Sequence, residues 1–379
     1  MLQKFLEILK APIAFLLRRP VLWLSKKVSS APDKAYIFQR LSELYQDIVD
    51  KPKSKQGALY NLDLKNGTTI IFSDHHKGNR GRSDEFRFSE KNYLAALEYY
   101  DKKGANYINL GDAEEFWKFN IFSIIKHNEA TFEAEKKFVN RNAYYKIYGN
   151  HDMFWKIDPF SNMFLREIYG KAINIYGAIV IRVKYEEGKH IDVFCTHGHQ
   201  GDKRSDGNAF SIWFVTYIWA PLQSFLDINI NTPASIQGEK TLHNRLMYEW
   251  SQEQNNLILV TGHTHQPIFH SYSHINALKQ QLEEALTSGN QPLANEISEK
   301  IARHPSQCEK EANKTIKYKP TYFNAGCCCY SDHSITGIEI ADGFIRLVNW
   351  HEDKDTSVRE VMEELPLSEL KHMFFSTSH

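Results

Sequence analysis

The sequence lacks net charge: Lys and Arg together number 46, and so do Asp and Glu. No global field therefore draws the chain toward nucleic acid, and any basic contact surface must be local. Cysteine is scarce. Of five, three are consecutive at Cys327, Cys328 and Cys329, and no CxxC pair occurs. Such neighbours cannot build an ordinary disulfide framework, so a reducing, cytoplasmic setting is favoured. The triplet reads as small buried hydrophobes on a strand in preference to a zinc or redox site. The N-terminus lacks an uninterrupted apolar run. "MLQKFLEILKAPIAFLLRRPVLWLSKKV" is broken by Lys4, Glu7, Lys10, Arg18 and Arg19. That argues against a signal peptide, and against a span, which needs about 20 apolar residues in succession. Its alternation of apolar and basic residues suits a helix lying in a membrane interface or docked on its own domain. Internal repeats and low-complexity tracts are also missing.

What is present is the composition of a globular chain. With 379 residues, 42% hydrophobic and 24% charged, there is material for one large core with insertions. Residues 1–50 form the N-terminal amphipathic segment, 51–355 the main domain and 356–379 a polar, loosely held tail. In "ALYNLDLKNGTTIIFSDHH", Asn66-Gly67 predicts a hairpin between two strands. Strands and helices then alternate. "TTIIF" leads to a helix over 89–102 capped by Ser89, and "NYINL", "YYKIY", "IDVFC", "NLILV" and "TYFNA" are further strands. "ITGIEIADGFIRLVNW" is a hairpin turning at Asp342-Gly343. The pattern implies a layered α/β fold with two sheets. Two segments interrupt it: an apolar, aromatic helical cap over 203–250 and a helical hairpin over 271–313.

Each inner strand ends in candidate metal ligands: Asp74-His75-His76, Gly111-Asp112 with Glu115, Gly149-Asn150-His151-Asp152, His197 with His199, and His263 with His265. One such cluster is commonplace; five in succession, each just past an apolar run, are not. Loops at the carboxyl ends of strands in open α/β sheets converge on one crevice. Carboxylate, imidazole and amide oxygen suit borderline divalent ions such as Mn, Fe or Zn. The ligands outnumber what one ion can use, so two ions sharing a carboxylate is the economical arrangement.

These five motifs, in order between about residues 68 and 350, resemble the calcineurin-like metallophosphoesterase superfamily, with its D-x-H, G-D-x-x-[DE], G-N-H-[DE], a strand-end His and G-H-x-H. The resemblance implies a four-layer α/β/β/α sandwich with helical insertions and two divalent metal ions, manganese first. It places Asp74, His76 and His265 on one ion, Asn150, His197 and His263 on the other, and Asp112 between them. His151 would stand beside the pair as acid, oriented by Asp152, with Glu115 in support. His75 points away. Arg80, Arg82 and His199 are candidate substrate contacts, as is Lys77 on the same loop; Trp117 lies at the rim or in the core. The implied reaction is in-line attack of a metal-bridging hydroxide on a phosphodiester or pyrophosphate.

"GDAEEFW" and "GNHD" depart from the protein phosphatase branch. The pattern is most similar to the UDP-2,3-diacylglucosamine pyrophosphatases, which carry an apolar insertion where this chain has 203–250. A lipid-linked or nucleotide-linked substrate and peripheral attachment to the inner membrane face follow as expectations. Departures are His151 where that branch often has arginine, the 271–313 insertion and the N-terminal extension. A metal-dependent nuclease is the competing enzyme reading; charge neutrality counts against it, and no strong nucleic-acid signal is present. A non-catalytic scaffold on the same fold is disfavoured by the presence of His151 and every implied ligand.

Overall fold

The computed structural model describes residues 33–52, 54, 56–64, 67–185, 188–201, 237–269, 282, 286, 290–303 and 320–375. One sheet has the order β1 (Gly57–Leu62), β6 (Ala178–Lys184), β7 (His190–Thr196), β8 (Leu257–Thr261), β9 (Tyr322–Asn324). The other contains a parallel run of β2 (Thr69–Phe72), β3 (Asn106–Asn109), β4 (Tyr144–Ile147) and β5 (Ile175–Tyr176). It is extended past β2 by antiparallel β10 (Ile335–Ala341), β11 (Phe344–Asp353) and β12 (Thr356–Pro366).

The strand period of two builds the layers. Ile71, Ile108 and Ile147 face inward against Ile179, Ile181, Val193, Ile258 and Val260 of the opposing sheet. Their alternates face outward. Ile70, Phe72 and Tyr107 meet Tyr93, Leu97 and Tyr100 of the Phe86–Lys102 helix. Val180, Phe194 and Leu259 meet Ile37, Leu41 and Ile48 of the Lys34–Asp50 helix and Leu246, Met247 and Trp250 of the Gln237–Gln252 helix. The result is helices, sheet, sheet, helices, as expected from the sequence.

Several local expectations are corrected. Asn66-Gly67 does not turn a hairpin: β1 pairs in parallel with β6, while β2 lies in the other sheet. Both faces of β2 are buried, and its hydrogen bonds go to parallel β3 on one side and antiparallel β10 on the other, so the chain passes from one sheet to the other between β1 and β2. The helix expected to start at Ser89 begins at Phe86, and Ser89 is buried against the carbonyls of Tyr330 and Ser334. The tail is not loose. β12 pairs with β11 along its length, and the Leu367–Phe375 helix buries Leu367 and Leu370 in the inter-sheet core. The cysteine run lies after β9 and not on a strand; Cys328 joins the core beneath the Phe86–Lys102 helix. Asp342 and Gly343 do turn a hairpin, with φ of 54° and 79°, the two left-handed positions of a type I′ turn.

Of the interruptions, 237–252 is a helix of the outer layer and Gln291–Arg303 is a helix. The rest of the expected cap (203–236), much of the expected helical hairpin and residues 1–32 lie outside the described residues. No helix among the described residues is long and apolar enough to cross a membrane.

Beneath the strand ends sits a buried charge network. Lys77 Nζ lies 2.7 Å from Glu135 Oε1 and 3.1 Å from Glu114 Oε1, and Lys146 Nζ lies 2.8 Å from Glu114 Oε2. The hydroxyls of Tyr93 and Tyr169 donate to Glu135, and the Trp155 indole N–H donates to Glu114. Burial raises the pKa of the Glu114 carboxyl, but Lys146 and Lys77 outweigh it and hold the group down at about 2. Its contribution to stability is therefore complete above its ordinary 4.5 and is lost as pH falls through about 2. Substituting Lys146→Met leaves a buried carboxylate short of a partner, and urea unfolding should show a loss of ~3–5 kcal/mol at neutral pH. An unchanged midpoint would mean that Lys77 alone suffices.

Candidate metal centre

Loops after β2, β3 and β4 leave one sheet and loops after β7 and β8 leave the other, all at one end. Backbone hydrogen bonds zip them together. Asp74 N–H donates to Gly111 O, His76 N–H to Asp112 O, and Gly262 N–H to His197 O. The five loop residues Asp74, His76, Asp112, His263 and His265 all have left-handed φ, between 50° and 67°. Non-glycine residues hold such angles where the surroundings over-determine them, and functional sites are where they gather. Two glycines permit the close approach. A Cβ on Gly149 would strike Asp112 Oδ1, and one on Gly262 would strike Ser73 Oγ and Asp74 Oδ2.

The side chains converge in two clusters. In the first, His265 Nε2 stands 3.2 Å from Asp74 Oδ1 and 3.2 Å from His76 Nε2. In the second, His197 Nε2 stands 3.1 Å from Asp112 Oδ2 and 3.3 Å from Asn150 Oδ1, with the ring of His263 beside it. Asp112 Oδ2 is also 3.9 Å from His76 Nε2, so it reaches both. Asp74, His76 and His265 can hold one ion between them, and Asp112, His197 and His263 another.

The donor set fits divalent ions. Two imidazole nitrogens facing each other across 3.2 Å need a proton or a cation between them, and buried Asp74 Oδ1 has no hydrogen-bond partner among the described residues. Burial disfavours every charge here, yet the neighbours dominate. His197 and His151 hold Asp112 well below the usual carboxylate range, while Asp112 and Asp74 lift His197 to about 9 and Asp74 lifts His265 to about 10. His263 is pushed down by burial and by the adjacent His197 and His243.

His151 sits at the edge of the first cluster. Its ring stacks on Trp117 with centroids 3.8 Å apart, and stands edge-on to His76. The expected Asp152 contact is corrected. Both Asp152 oxygens accept backbone N–H groups, from Gly149 and Ala113, and burial raises its carboxyl to about 6. Glu115 takes that place: Oε1 lies 2.9 Å from His151 Nδ1 and Oε2 lies 3.1 Å from His76 Nδ1. His75 turns away, as expected, into the Tyr93–Tyr107–Phe86 aromatic core.

The substrate-contact candidates fare unevenly. Lys77 is locked in the core network. Arg80 is engaged by Glu90 and the His127 carbonyl, and Arg82 is exposed. His199 is buried with its ring against Tyr148 and His197. Two neighbours escaped sequence reasoning. His243 packs against His263 from the Gln237–Gln252 helix and carries no motif around it. Cys329 reaches His265 Nδ1 from the loop after β9, and consecutive cysteines had pointed to a strand instead.

A model of the calcineurin-like phosphoesterases matches residues 67–267, more than half of the chain. The chain belongs to that family. The family makes it a metal-dependent phosphoesterase, with two sheets flanked by helices and candidate ligand clusters at the strand ends. No curated protein matches it in sequence. Among solved structures, Vacuolar Protein Sorting 29 from Cryptosporidium parvum is 13% identical, with 79% of this chain and 98% of that chain covered, at a TM-score of 0.29. A single mutant of Vps29 from Entamoeba histolytica is 13% identical, with 79% and 99% covered, at 0.28. Scores that low carry no argument about this phosphoesterase.

Because Asp112 reaches both clusters, Asp112→Ala should lower the manganese retained per chain after dialysis, measured by plasma mass spectrometry, with the circular dichroism unchanged. Equal metal content would remove Asp112 from the centre.

Proposed function

We propose that this chain is a binuclear metal-dependent phosphoesterase that cleaves a phosphodiester or pyrophosphate bond in a lipid-linked or nucleotide-linked substrate of the UDP-2,3-diacylglucosamine type. The observation that carries this reading is one carboxylate, Asp112, within reach of both ligand clusters, with His151 held beside them by Glu115. Two bound ions, with manganese the first candidate, supply Lewis acidity and a nucleophilic water at neutral pH.

The chain's own residues do the rest. Glu115 accepts a proton-bearing nitrogen from each of two rings. Fixing His76 by Nδ1 aims its Nε2 at the first cluster, and Leu110 O does the same for His197 through Nδ1 at 2.9 Å. Fixing His151 by Nδ1 leaves Nε2 to deliver a proton to the departing alkoxide or phosphate. Trp117 holds that ring flat against its own face, so the proton is presented from one direction. Asp152 sets the turn carrying Asn150 and His151 by gripping Gly149 and Ala113, and its role is positioning.

The substrate class rests on sequence. The uncharged aromatic stretch within 203–250 suits acyl chains, and the basic, apolar residues 1–28 suit an enzyme at the cytoplasmic membrane surface. Manganese-dependent hydrolysis of bis-p-nitrophenyl phosphate should vanish in Asp112→Ala, and His151→Ala should slow cleavage of a diester with a poor, alkoxide leaving group by ~10²–10⁴-fold. Glu115→Gln should fall between wild type and His151→Ala. UMP release from UDP-2,3-diacylglucosamine, lost in His151→Ala, would establish the substrate class. Diester hydrolysis without UMP release would overturn the lipid reading while leaving the metal chemistry standing.

A further inference from the structure

His265 has two nitrogens, and only Nε2 faces Asp74 and His76. The other, Nδ1, lies 3.8 Å from Cys329 Sγ, and a ring nitrogen of His265 and the sulfurs of Cys327 and Cys329 all lie within 4.8 Å of one another. Both thiols are buried, while the His265 side chain is 26% exposed, so the group is open on one side only. We propose that His265 Nδ1, Cys327 and Cys329 form a separate site for a thiophilic divalent ion of the zinc class, beside the Asp/His centre and sharing its imidazole.

The loop is built to present these donors. Cys327 and Cys329 share a side because Cys328 alternates away into the core. Cys328 N–H donates to Asp74 O, Thr336 N–H to Cys327 O, and the Tyr330 hydroxyl to the His265 carbonyl at 3.1 Å. Gly326, with φ of 74°, makes the turn that starts the loop. The Cα trace is thus tied to Asp74 on one side and His265 on the other before any ion arrives.

Donor chemistry selects the ion. Two sulfurs and one imidazole suit zinc, cobalt or cadmium, whereas the carboxylate-rich clusters next door suit harder ions. With bonds of about 2.3 Å to sulfur and 2.0–2.1 Å to nitrogen, a tetrahedral ion sets the S···N edge at roughly 3.5 Å. The observed 3.8 Å closes to that by a small side-chain movement. Three protein ligands leave the fourth position to water or substrate. Binding expels the protons of both thiols and requires a lone pair on Nδ1. The remaining ring proton then sits on Nε2, or leaves when Nε2 takes its own ion and the ring bridges as imidazolate. Loading one site therefore changes the ligand available to the other.

The test titrates the metal-free full chain with cobalt(II) under argon. A thiolate-to-cobalt charge-transfer band should appear in the near ultraviolet and be lost entirely in the Cys327→Ser/Cys329→Ser double variant, which should also bind fewer cobalt ions per chain than wild type. No band in the unaltered chain, or a band that persists in the double variant, overturns the proposal. Because buried serines can unfold the loop, a second measurement uses the unaltered chain. Zinc should protect Cys327 and Cys329 from alkylation, read by peptide mass, and equal alkylation with and without zinc overturns the site. A charge-transfer band without the visible cobalt bands of an oxygen- and nitrogen-ligated centre would support this site while failing the binuclear reading.

Discussion

Asp74 ties the site together. Its backbone N–H is held by Gly111 and its carbonyl takes the N–H of Cys328. One carboxylate oxygen accepts from Ser73 Oγ at 2.5 Å and from the His263 backbone at 2.8 Å; the other faces His265. A single residue at the end of β2 thereby fixes the loop after β3, the loop after β8 in the opposing sheet and the cysteine loop. A left-handed φ of 55° is what its carboxylate needs to reach across. The two sheets could stack at many offsets on hydrophobic contact alone, since burial of apolar surface has no direction. The Asp74 contacts select one.

Electrostatics divides the interior into two zones. Farther from the surface, Glu114 and Glu135 are answered by Lys77 and Lys146, charge for charge, with tyrosine and tryptophan donors filling the remaining lone pairs. At the strand ends Asp74 and Asp112 face imidazoles, Glu115 faces imidazoles and the more exposed Lys118 at 3.4 Å, and His197 and His265 rise in basicity beside the aspartates. Buried carboxylates without permanent counter-charges are expensive unless a cation joins them. Among the described residues the buried lysines, Lys77 and Lys146, serve the scaffold, and the strand-end carboxylates stand among the candidate ligands of the family's metal. Cys327 and Cys329 extend the same logic to a softer donor set on the far nitrogen of His265.

The layers were legible wherever the strand period was clean. Ile70, Ile71 and Phe72, or Leu257 to Val260, alternate between two apolar environments, and both are buried because sheet and helix cover opposite faces. The Asp342-Gly343 turn was legible because left-handed φ at two successive positions selects those residues. Asn66-Gly67 has the same local chemistry, yet its flanking strands go to different sheets; turn propensity says nothing about which partner each strand finds. The tail failed similarly. β12 alternates charged and apolar residues only weakly because it is an edge strand, and its pairing with β11 is made by the backbone.

The amino-acid sequence alone determined which residue types stand at the end of each inner strand, since the ligand motifs are local and their spacing follows the strands. The tertiary structure alone decided what each of those residues touches. Glu115 and Asp152 are both acids a few residues from the histidine motifs, and nothing local separates them. Only the packing of the β3 loop against the β4 loop gives His151 to Glu115 and sends Asp152 to the backbone. In the same way, Cys327 and Cys329 are neighbours of a core strand in sequence but partners of His265 in space. Contacts between residues far apart in the chain depend on loop approach and sheet offset, which no window of sequence contains.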